Sequence, residues 1–336
     1  FGIGILRRIG RRISMDRDPN LVIIGGGTGL SYVLKGIKKY PLDVTAIVTV
    51  GDDGGSSGDI RSAIHVVPPG DIRKVMIAMS EAEPLMNTLL NHRFTEDTLF
   101  ANHTVGNILL TALFQITGDY VLAIQQLSEV LNVKGTILPV AQKPITLRAE
   151  MEDGTIIYGE SHITAAKKKI KQIFLEEDDI EVTKEVLKAI EKADMIVFGP
   201  GSLYTSIIPN LLVPGVKDAL NTSKAKKVYI CNVMTEPGET DNYPVSKHVR
   251  VLESYLGQGL IDSIIANDDK NINQAVLNKY KAIDAELVAI DYDEIIKLNK
   301  EFITDKFIYV NEKNHIRHNS NKIAAYLLMM LIENLE

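Results

Sequence analysis

A glycine-rich loop between an apolar run and a helical pattern constrains this chain more than any other feature. The loop reads Gly25-Gly26-Gly27-Thr28-Gly29. Residues 21–24 before it predict a buried strand, and residues 30–40 after it predict a helix that ends before Pro41. The β-branched run 44–50 then predicts a second strand. Such a strand-helix-strand unit makes parallel strands, which belong to α/β proteins with helices on both faces of the sheet.

The rest of the chain continues this alternation and is interrupted once by an antiparallel pattern. Residues 145–151 and 155–160 alternate in polarity around Glu152-Asp153-Gly154, and Asp-Gly between such runs indicates a β-hairpin. The remaining predicted helices are 75–91, 106–117, 120–132, 184–192 (capped by Thr183) and 321–335. The remaining predicted strands are 136–140, 195–198, 228–231, 264–266 and 287–290. We therefore expect one α/β domain over residues 15–336, with an inserted β-hairpin and helical segment.

The first residues are unlike the rest. Residues 1–14 contain four arginines and no acidic residue, and Met15 follows them. We expect an extension outside the domain, either disordered or left from upstream or vector sequence. A basic segment that lies on a membrane surface is the alternative.

Composition excludes several classes of protein. The chain has 37 Lys and Arg against 43 Asp and Glu, a net charge of −6. Because nucleic-acid binders draw affinity from an excess of basic residues, we expect no nucleic-acid partner. Cys231 is the only cysteine, which excludes an intrachain disulfide and fits a reducing cytoplasm. The sequence has no apolar run long enough to cross a bilayer, so we expect no stable membrane insertion.

The glycine loop 25–29 predicts a phosphate site. Missing side chains let backbone N–H groups approach an anion, and the amino end of a helix adds about half a positive charge. Leu30 stands where the third glycine of the dinucleotide fingerprint would fall, and the Gly-Lys-Ser/Thr ending of a P-loop is missing. The alternative is a tight turn without a ligand.

A second loop follows the strand 44–50. It reads Gly51-Asp52-Asp53-Gly54-Gly55-Ser56-Ser57-Gly58. Ligands of open parallel sheets lie beyond the carboxyl ends of the strands, so this loop should face the first one. Asp52 and Asp53 are candidates either to accept hydrogen bonds from sugar hydroxyls or to hold Mg²⁺ beside a diphosphate. A solvated turn is the alternative.

Two further segments open predicted helices. Asp71 is expected to cap one helix, and Arg73 to reach a phosphate from it. His103 is a candidate donor to a ligand oxygen, and Asn107 is a candidate reader of a base or sugar. For each of these side chains a purely structural role is the alternative.

Two segments that follow predicted strands add more candidates. Residues 199–206 are expected to line the same crevice, with the candidate contacts Gly199, Gly201, Ser202 and Thr205. Residues 231–241 contain Glu236, Glu239 and Asp241, which are open to three roles: acceptors for ribose hydroxyls, a general base, or a dimer contact.

The combination of these motifs is similar to that of the CofD-like superfamily, which includes the 2-phospholactate transferase of deazaflavin cofactor synthesis. The similar stretches are 25–30, 51–58, 68–73 and 199–206. Residues 231–241 (Cys-Asn-Val-Met-Thr-Glu-Pro-Gly-Glu-Thr-Asp) and 315–318 (His-Ile-Arg-His) resemble in particular the YvcK-type gluconeogenesis factors. Two residues depart from the pattern: Asp59 stands where a basic residue is common, and Lys74 stands where Asn is common.

The resemblance implies a Rossmann-like fold, a cytoplasmic location and a homodimer. It implies binding of a nucleotide sugar, typically UDP-N-acetylglucosamine, and a role in cell shape and envelope precursor supply during growth on gluconeogenic carbon. The regulated partner would be an enzyme of amino-sugar synthesis. Arg317 matches an arginine associated with nucleotide-sugar binding, and Ser320 matches a hydroxyl residue that can be phosphorylated.

Three functions are consistent with these observations. The preferred one is a regulatory protein that binds a nucleotide sugar, because no residue set forms an obvious nucleophile–base pair. The second is a Mg²⁺-dependent transferase of phosphorus-containing groups, of the phospholactate or uridylyl type. The third is an NAD-binding protein, which Leu30 disfavours.

Overall fold

Seven strands of the described chain form a central sheet in which every pair is parallel. The strands of the protein are Asn20–Gly25 (β1), Asp43–Val48 (β2), Thr136–Pro139 (β3), Leu147–Met151 (β4), Ile156–Tyr158 (β5), Ile170–Leu175 (β6), Met195–Phe198 (β7), Lys226–Ile230 (β8), Ser263–Asn267 (β9), Glu301–Asp305 (β10), Ile308–Val310 (β11) and Ile316–His318 (β12). The central order is β10-β9-β8-β7-β1-β2-β3. The predicted α/β, Rossmann-like class is confirmed.

This computed structural model describes residues 17–334 except 83, 96, 97 and 99. The predicted extension 1–14 lies outside the described residues. No helix in the described part of the chain is long and apolar enough to cross a membrane.

Helices cover both faces of the sheet. They are Gly27–Ile37 (α1), Gly55–Ile64 (α2), Pro69–Met79 (α3), Pro84–Asn91 (α4), Val105–Thr117 (α5), Tyr120–Val130 (α6), Glu160–Ala166 (α7), Lys184–Lys192 (α8), Ile208–Leu212 (α9), Val216–Thr222 (α10), Val245–Leu256 (α11), Gln274–Lys281 (α12), Tyr292–Lys297 (α13) and Ser320–Asn334 (α14). A π-helical turn, Leu203–Ile207, precedes α9. The central strands β1 and β7 are almost wholly buried, as their continuous apolar sequences predict.

The chain changes direction across the sheet at β1. It first builds outward from β1 to β2 and β3, and later builds the other way from β7 to β10. The neighbours β1 and β7 are in register from Leu21 opposite Met195 to Ile24 opposite Phe198. The segments after these two strands therefore diverge from adjacent strand ends, which is where ligands bind in open α/β sheets.

The predicted hairpin is confirmed and belongs to a larger unit. Strands β4 and β5 pair around Asp153 and Gly154, and β6 pairs with the other side of β4. The sequence analysis missed β6 and the central strand β10. It also missed the hairpin of β11 and β12, which carries Arg317 opposite Tyr309.

Three predictions of local structure are wrong. The single helix 75–91 is two helices, because α3 ends at Met79 and α4 begins at Pro84, a residue that lacks the N–H a helix interior needs. Residues 287–290 form no strand, and Leu287 makes only an isolated bridge to Met234. Asp71 is not a cap, because α3 begins two residues earlier and places Asp71 inside its first turn.

The contact between α1 and α14 provides a test of the packing. Gly36 in α1 is buried, and a β-carbon there would overlap the backbone carbonyl oxygen of Ser320. Replacing Gly by Ala in an open helix stabilises it by about 1 kcal/mol. We expect Gly36→Ala instead to lower the free energy of unfolding by about 1–3 kcal/mol, because the two helices must separate.

Urea unfolding of Gly36→Ala and of Lys35→Ala measures this effect. Lys35 is exposed on the same helix, so its replacement should leave the free energy nearly unchanged. A Gly36→Ala variant more stable than the wild type would contradict the packing described here.

Candidate functional site

A cavity of about 500 Å³ lies beyond the carboxyl ends of β1, β7 and β8. A volume of this size is typical of small-molecule sites. Its lining comes from the starts of α1 and α3, the segments after β7 and β8, helix α12 and strand β12. The lining residues are Gly27, Thr28, Gly29, Tyr32, Asp71, Lys74, Glu160, Pro200, Gly201, Ser202, Ser206, Asn232, Val233, Met234, Thr235, Glu236, Pro237, Tyr280, Ile283, Ala285, Ile316, Arg317 and His318.

Close backbone contacts bring the glycine loop against its neighbours. A β-carbon at Gly29 would overlap the carbonyl oxygen of Pro200. One at Gly26 would lie 2.6 Å from Ser206 Oγ, and one at Gly27 would overlap the carboxylate of Asp71. Glycine is required at these positions because any side chain would push the segments apart.

The first turn of α1 presents backbone N–H groups at the cavity. Its N-cap, Gly26, has no side chain to accept from them, and Gly27, Thr28 and Gly29 line the cavity. The π-helical turn begins in the same way after Ser202, without a side-chain cap. Unsatisfied amides at the start of a helix attract anions, so the two segments together suit a phosphate.

In the predicted loop 199–206, fewer backbone groups are available to a ligand than the sequence suggested. The N–H of Gly199 donates to Ile24 O at 2.9 Å. Asn232 holds Gly201 from both sides, accepting from its N–H at 3.1 Å and donating to its carbonyl at 2.9 Å. Thr205 is buried away from the cavity, with Oγ1 3.5 Å from Glu239 Oε1. Ser202 is the predicted residue of this loop whose side chain faces the cavity.

Arg317 supplies a cationic group at the opposite wall. Its guanidinium lies over the ring of Tyr32, 5.4 Å from the centroid, and Nη1 donates to Ile316 O at 2.8 Å. Within the described chain Arg317 has no carboxylate partner, and its buried Nε has no hydrogen-bond acceptor. Arg317 is therefore free to bind an anionic ligand.

His318 and Cys231 are not arranged for ionic or nucleophilic roles. His318 Nε2 lies 3.2 Å from the carbonyl of Cys231, and burial lowers the pKa of His318 to about 4, so its imidazole is neutral. Burial raises the pKa of the Cys231 thiol to about 12. A neutral, enclosed thiol is a packed core residue.

The second loop, 51–58, lies one layer away from the cavity lining. Asp52 accepts from Gly54 N at 3.0 Å and packs against Gly70 beside Ser57. Asp53 accepts from Ser161 N at 2.8 Å. Neither these residues nor Gly55 and Ser56 line the cavity, and the loop adjoins it through Asp71 and Glu160.

Four other candidate side chains form a separate buried network. Arg73 donates from Nε to Asn107 Oδ1 at 2.9 Å and from Nη1 to Asn91 Oδ1 at 2.6 Å. Asn107 donates to Ser56 Oγ at 3.0 Å, and Ser56 Oγ lies 3.0 Å from His103 Nδ1. The network ties the starts of α2, α3 and α5 together and lies outside the cavity lining.

Carboxyl groups dominate the other end of the cavity. Asp71 pairs with Lys74 at 2.9 Å, an interaction that the unusual Lys74 makes possible. Burial, followed by the charges of Asp71 and Asp52, holds the pKa of Glu160 well above its usual range. Burial raises the pKa of Glu236, and burial together with Glu236 raises the pKa of Glu239 to about 8.

Asp52 and Asp53, the residues suggested for Mg²⁺, are not arranged as a pair of ligands. Each of Asp52 and Asp53 already accepts from a backbone N–H, and they face different partners, Gly54 and Ser161. The described residues contain no group of three or more His, Cys, Asp or Glu that could hold a metal ion.

Sequence reasoning missed several lining residues. Tyr32 follows Thr28 by one helical turn, so the helical period was a usable signal. Asn232 stands inside the segment 231–241 that had been singled out, but nothing in the pattern indicates that it clamps Gly201. Glu160 and Tyr280 reach the cavity from the antiparallel unit and from α12, and no spacing predicts that.

Comparisons with known proteins agree over nearly the whole chain. A family profile described as 2-phospho-L-lactate transferase CofD matches residues 21–308. The chain is 47% identical to the gluconeogenesis factor of Halalkalibacterium halodurans, over 93% of this chain and 96% of that one. It is 45% identical to the gluconeogenesis factor of Bacillus subtilis, over 95% and 100% of the two chains. A crystal structure of a UPF0052-family protein from Bacillus halodurans matches with a TM-score of 0.89 at 47% identity, over 93% and 100% of the two chains.

The raised carboxyl pKa values predict how stability depends on pH. Between the unfolded value near 4.5 and about 8, folded Glu239 holds a proton that the unfolded chain has released. Stability is therefore lost as pH rises through this window. Burial lowers the pKa of His248 and of His318 to about 4. These two groups make stability rise with pH instead, but only below about pH 6.5.

We expect the free energy of unfolding to fall by about 2 kcal/mol between pH 6.5 and 8 through Glu239. Urea unfolding at several pH values measures this slope. Glu239→Gln should flatten it, while Glu152→Gln, at an exposed turn, should leave it unchanged. If the free energy of unfolding depends on pH equally in Glu239→Gln and in the wild type, the raised pKa does not belong to Glu239.

Proposed function

We propose that this chain, which belongs to the CofD family and groups with its gluconeogenesis factors, is a regulatory protein that binds a nucleotide sugar of the UDP-N-acetylglucosamine type. The family expected from the motifs is confirmed. We further propose that it acts in the cytoplasm, in cell morphogenesis and in envelope precursor supply on gluconeogenic carbon sources.

One observation carries the ligand proposal: an anion cradle and an unpaired arginine share one cavity. The uncapped first turn of α1 offers amides to a diphosphate, and Arg317 offers a planar fork to a second phosphate oxygen. The apolar wall beside Arg317, formed by Tyr280, Ile283 and Ile316, suits the flat face of a nucleoside.

A regulatory role fits the lining better than catalysis does. The Cys231 thiol is buried and its pKa is raised to about 12, and His318 is engaged by a backbone carbonyl. A regulator of this kind needs a ligand that binds one conformation better than another, because only such a difference in affinity can be passed on to a partner enzyme.

A transferase remains the second candidate, because the matching family profile is described as a 2-phospho-L-lactate transferase. An NAD-binding protein is the third. It is disfavoured because Leu30, at the fingerprint position for glycine, is a fully buried core residue of α1.

Three expectations from the resemblance stay predictions. They are a homodimer, a partner enzyme of amino-sugar synthesis, and phosphorylation of Ser320. Ser320 is the first residue of α14, is partly exposed and packs against Gly36 rather than lining the cavity. Helices α4 and α5 contain no charged residue and expose Leu85 and Ile116, a surface compatible with pairing of two copies.

Arg317 provides the direct test of the binding proposal. Isothermal titration with UDP-N-acetylglucosamine should show binding to the wild type. Arg317→Ala should weaken it by about 10- to 100-fold, the value of a charge-assisted hydrogen bond. Arg317→Lys should fall between the two, because Lys keeps the charge without the fork.

Arg250→Ala is the control, because Arg250 is an exposed arginine on α11 paired with Glu294. Equal affinities of the Arg317→Ala variant and the wild type would remove Arg317 from the site. A preference for NAD over the nucleotide sugar would support the third candidate instead.

Product analysis separates the regulator from the transferase. The protein is incubated with UTP, N-acetylglucosamine 1-phosphate and Mg²⁺, and nucleotides are resolved by chromatography. We expect no product above the level of a boiled sample. Formation of UDP-sugar above that level would support the transferase instead.

A further inference from the structure

Three buried carboxylate oxygens at one end of the cavity have no hydrogen-bond partner among the described residues. They are Oε2 of Glu160, Oε2 of Glu236 and Oε2 of Glu239. Glu160 and Glu236 line the cavity, and Glu239, only 3% exposed, lies close enough to both for their charges to interact. Buried polar atoms in proteins are nearly always paired, so three together need an explanation.

The neighbouring carboxyl groups are engaged, which sets these oxygens apart. Asp71 is held by Lys74 at 2.9 Å, and Asp52 accepts from Gly54 N at 3.0 Å. The other oxygen of Glu239 accepts from Thr164 Oγ1 at 3.2 Å. Ser202 interacts with the Glu236 carboxyl, but none of the three Oε2 atoms accepts a hydrogen bond from a described group.

The charges at this end of the cavity favour a ligand group that is uncharged and donates hydrogen bonds. Phosphate is disfavoured because at least four carboxyl groups surround the position and Lys74 is the one basic residue beside them in the described lining. The described residues also lack a group of three metal ligands. Hydroxyl groups are uncharged and donate hydrogen bonds to carboxyl oxygens, which accept them in either protonation state.

Helix α1 separates this acidic end from the arginine end. Gly27, at its start, lies against Asp71. Tyr32, whose ring contacts the guanidinium of Arg317, is five residues later in α1, about 7.5 Å along the helix axis. The anion cradle at Gly27–Gly29 lies between the two ends, just as the diphosphate of a nucleotide sugar lies between its nucleoside and its sugar.

We propose that Glu160 and Glu236 accept hydrogen bonds from the hydroxyl groups of the sugar and thereby make the protein select nucleotide sugars over free nucleotides. Glu239 lies behind these two residues and keeps this end of the cavity polar. The inference rests on the proposed nucleotide-sugar function and assigns the orientation of the ligand: sugar at the carboxyl groups and nucleoside at Arg317.

The test compares UDP with UDP-N-acetylglucosamine by isothermal titration, using wild type, Glu160→Met and Glu236→Met. Methionine keeps the length of the side chain and removes every acceptor. We expect each variant to bind UDP-N-acetylglucosamine about 10-fold or more weakly than the wild type, while the affinity for UDP stays equal or rises. Glu160→Gln and Glu236→Gln, which keep one acceptor, should lose less.

Glu152→Met is the matched control, at an exposed turn of the same antiparallel unit as Glu160. Thermal unfolding checks that the variants are folded; removing an uncompensated buried carboxyl should raise Tm rather than lower it. Variants that change UDP and UDP-N-acetylglucosamine affinity by the same factor would overturn this inference and leave the proposed function standing. A wild type that binds neither ligand would overturn both.

Discussion

The contact between the segments that follow β1 and β7 is the constraint on which the site depends. Gly29 lies against the Pro200 carbonyl and Gly26 against Ser206, so the two strand ends meet through backbone rather than side chains. The amides at the start of α1 therefore face the cavity in one fixed direction. At its other end α1 is held by Gly36 against Ser320. A helix fixed at both ends holds its dipole in place without help from a mobile side chain.

The sequence predicted six of the seven central strands, all except β10, and the loops that follow them, because these follow from short-range patterns. Apolar, β-branched runs that end in glycine mark buried parallel strands, and the loops 25–29 and 199–206 were expected in one crevice because each follows such a strand. The start of a helix is less well defined by pattern. The shift of α3 by two residues turned Asp71 from an expected cap into a wall of the cavity against Gly27.

Such patterns did not predict the contacts between side chains from distant parts of the chain. Arg73, His103 and Asn107 have residue types typical of ligand contacts, but tertiary packing commits them to one another and to Ser56. Arg317 was identified by resemblance alone, and its stacking on Tyr32 depends on the docking of a hairpin that the sequence did not predict. Residues 287–290 failed as a strand because a short apolar run does not specify a pairing partner.

The charges that line the cavity explain how, under the proposed function, one ligand would be selected over another. An acidic protein that binds an anion needs positive potential that its own carboxylates do not cancel, and backbone dipoles provide it because they cannot be neutralised by proton transfer. Under the proposed function, the carboxyl groups of Glu160 and Glu236 would disfavour a ligand that places phosphate beside them. The same unpaired groups destabilise the empty protein, since their raised pKa values reflect the cost of burying charge. Groups that weaken the fold while shaping one end of a cavity are expected at functional sites, where specificity and stability compete.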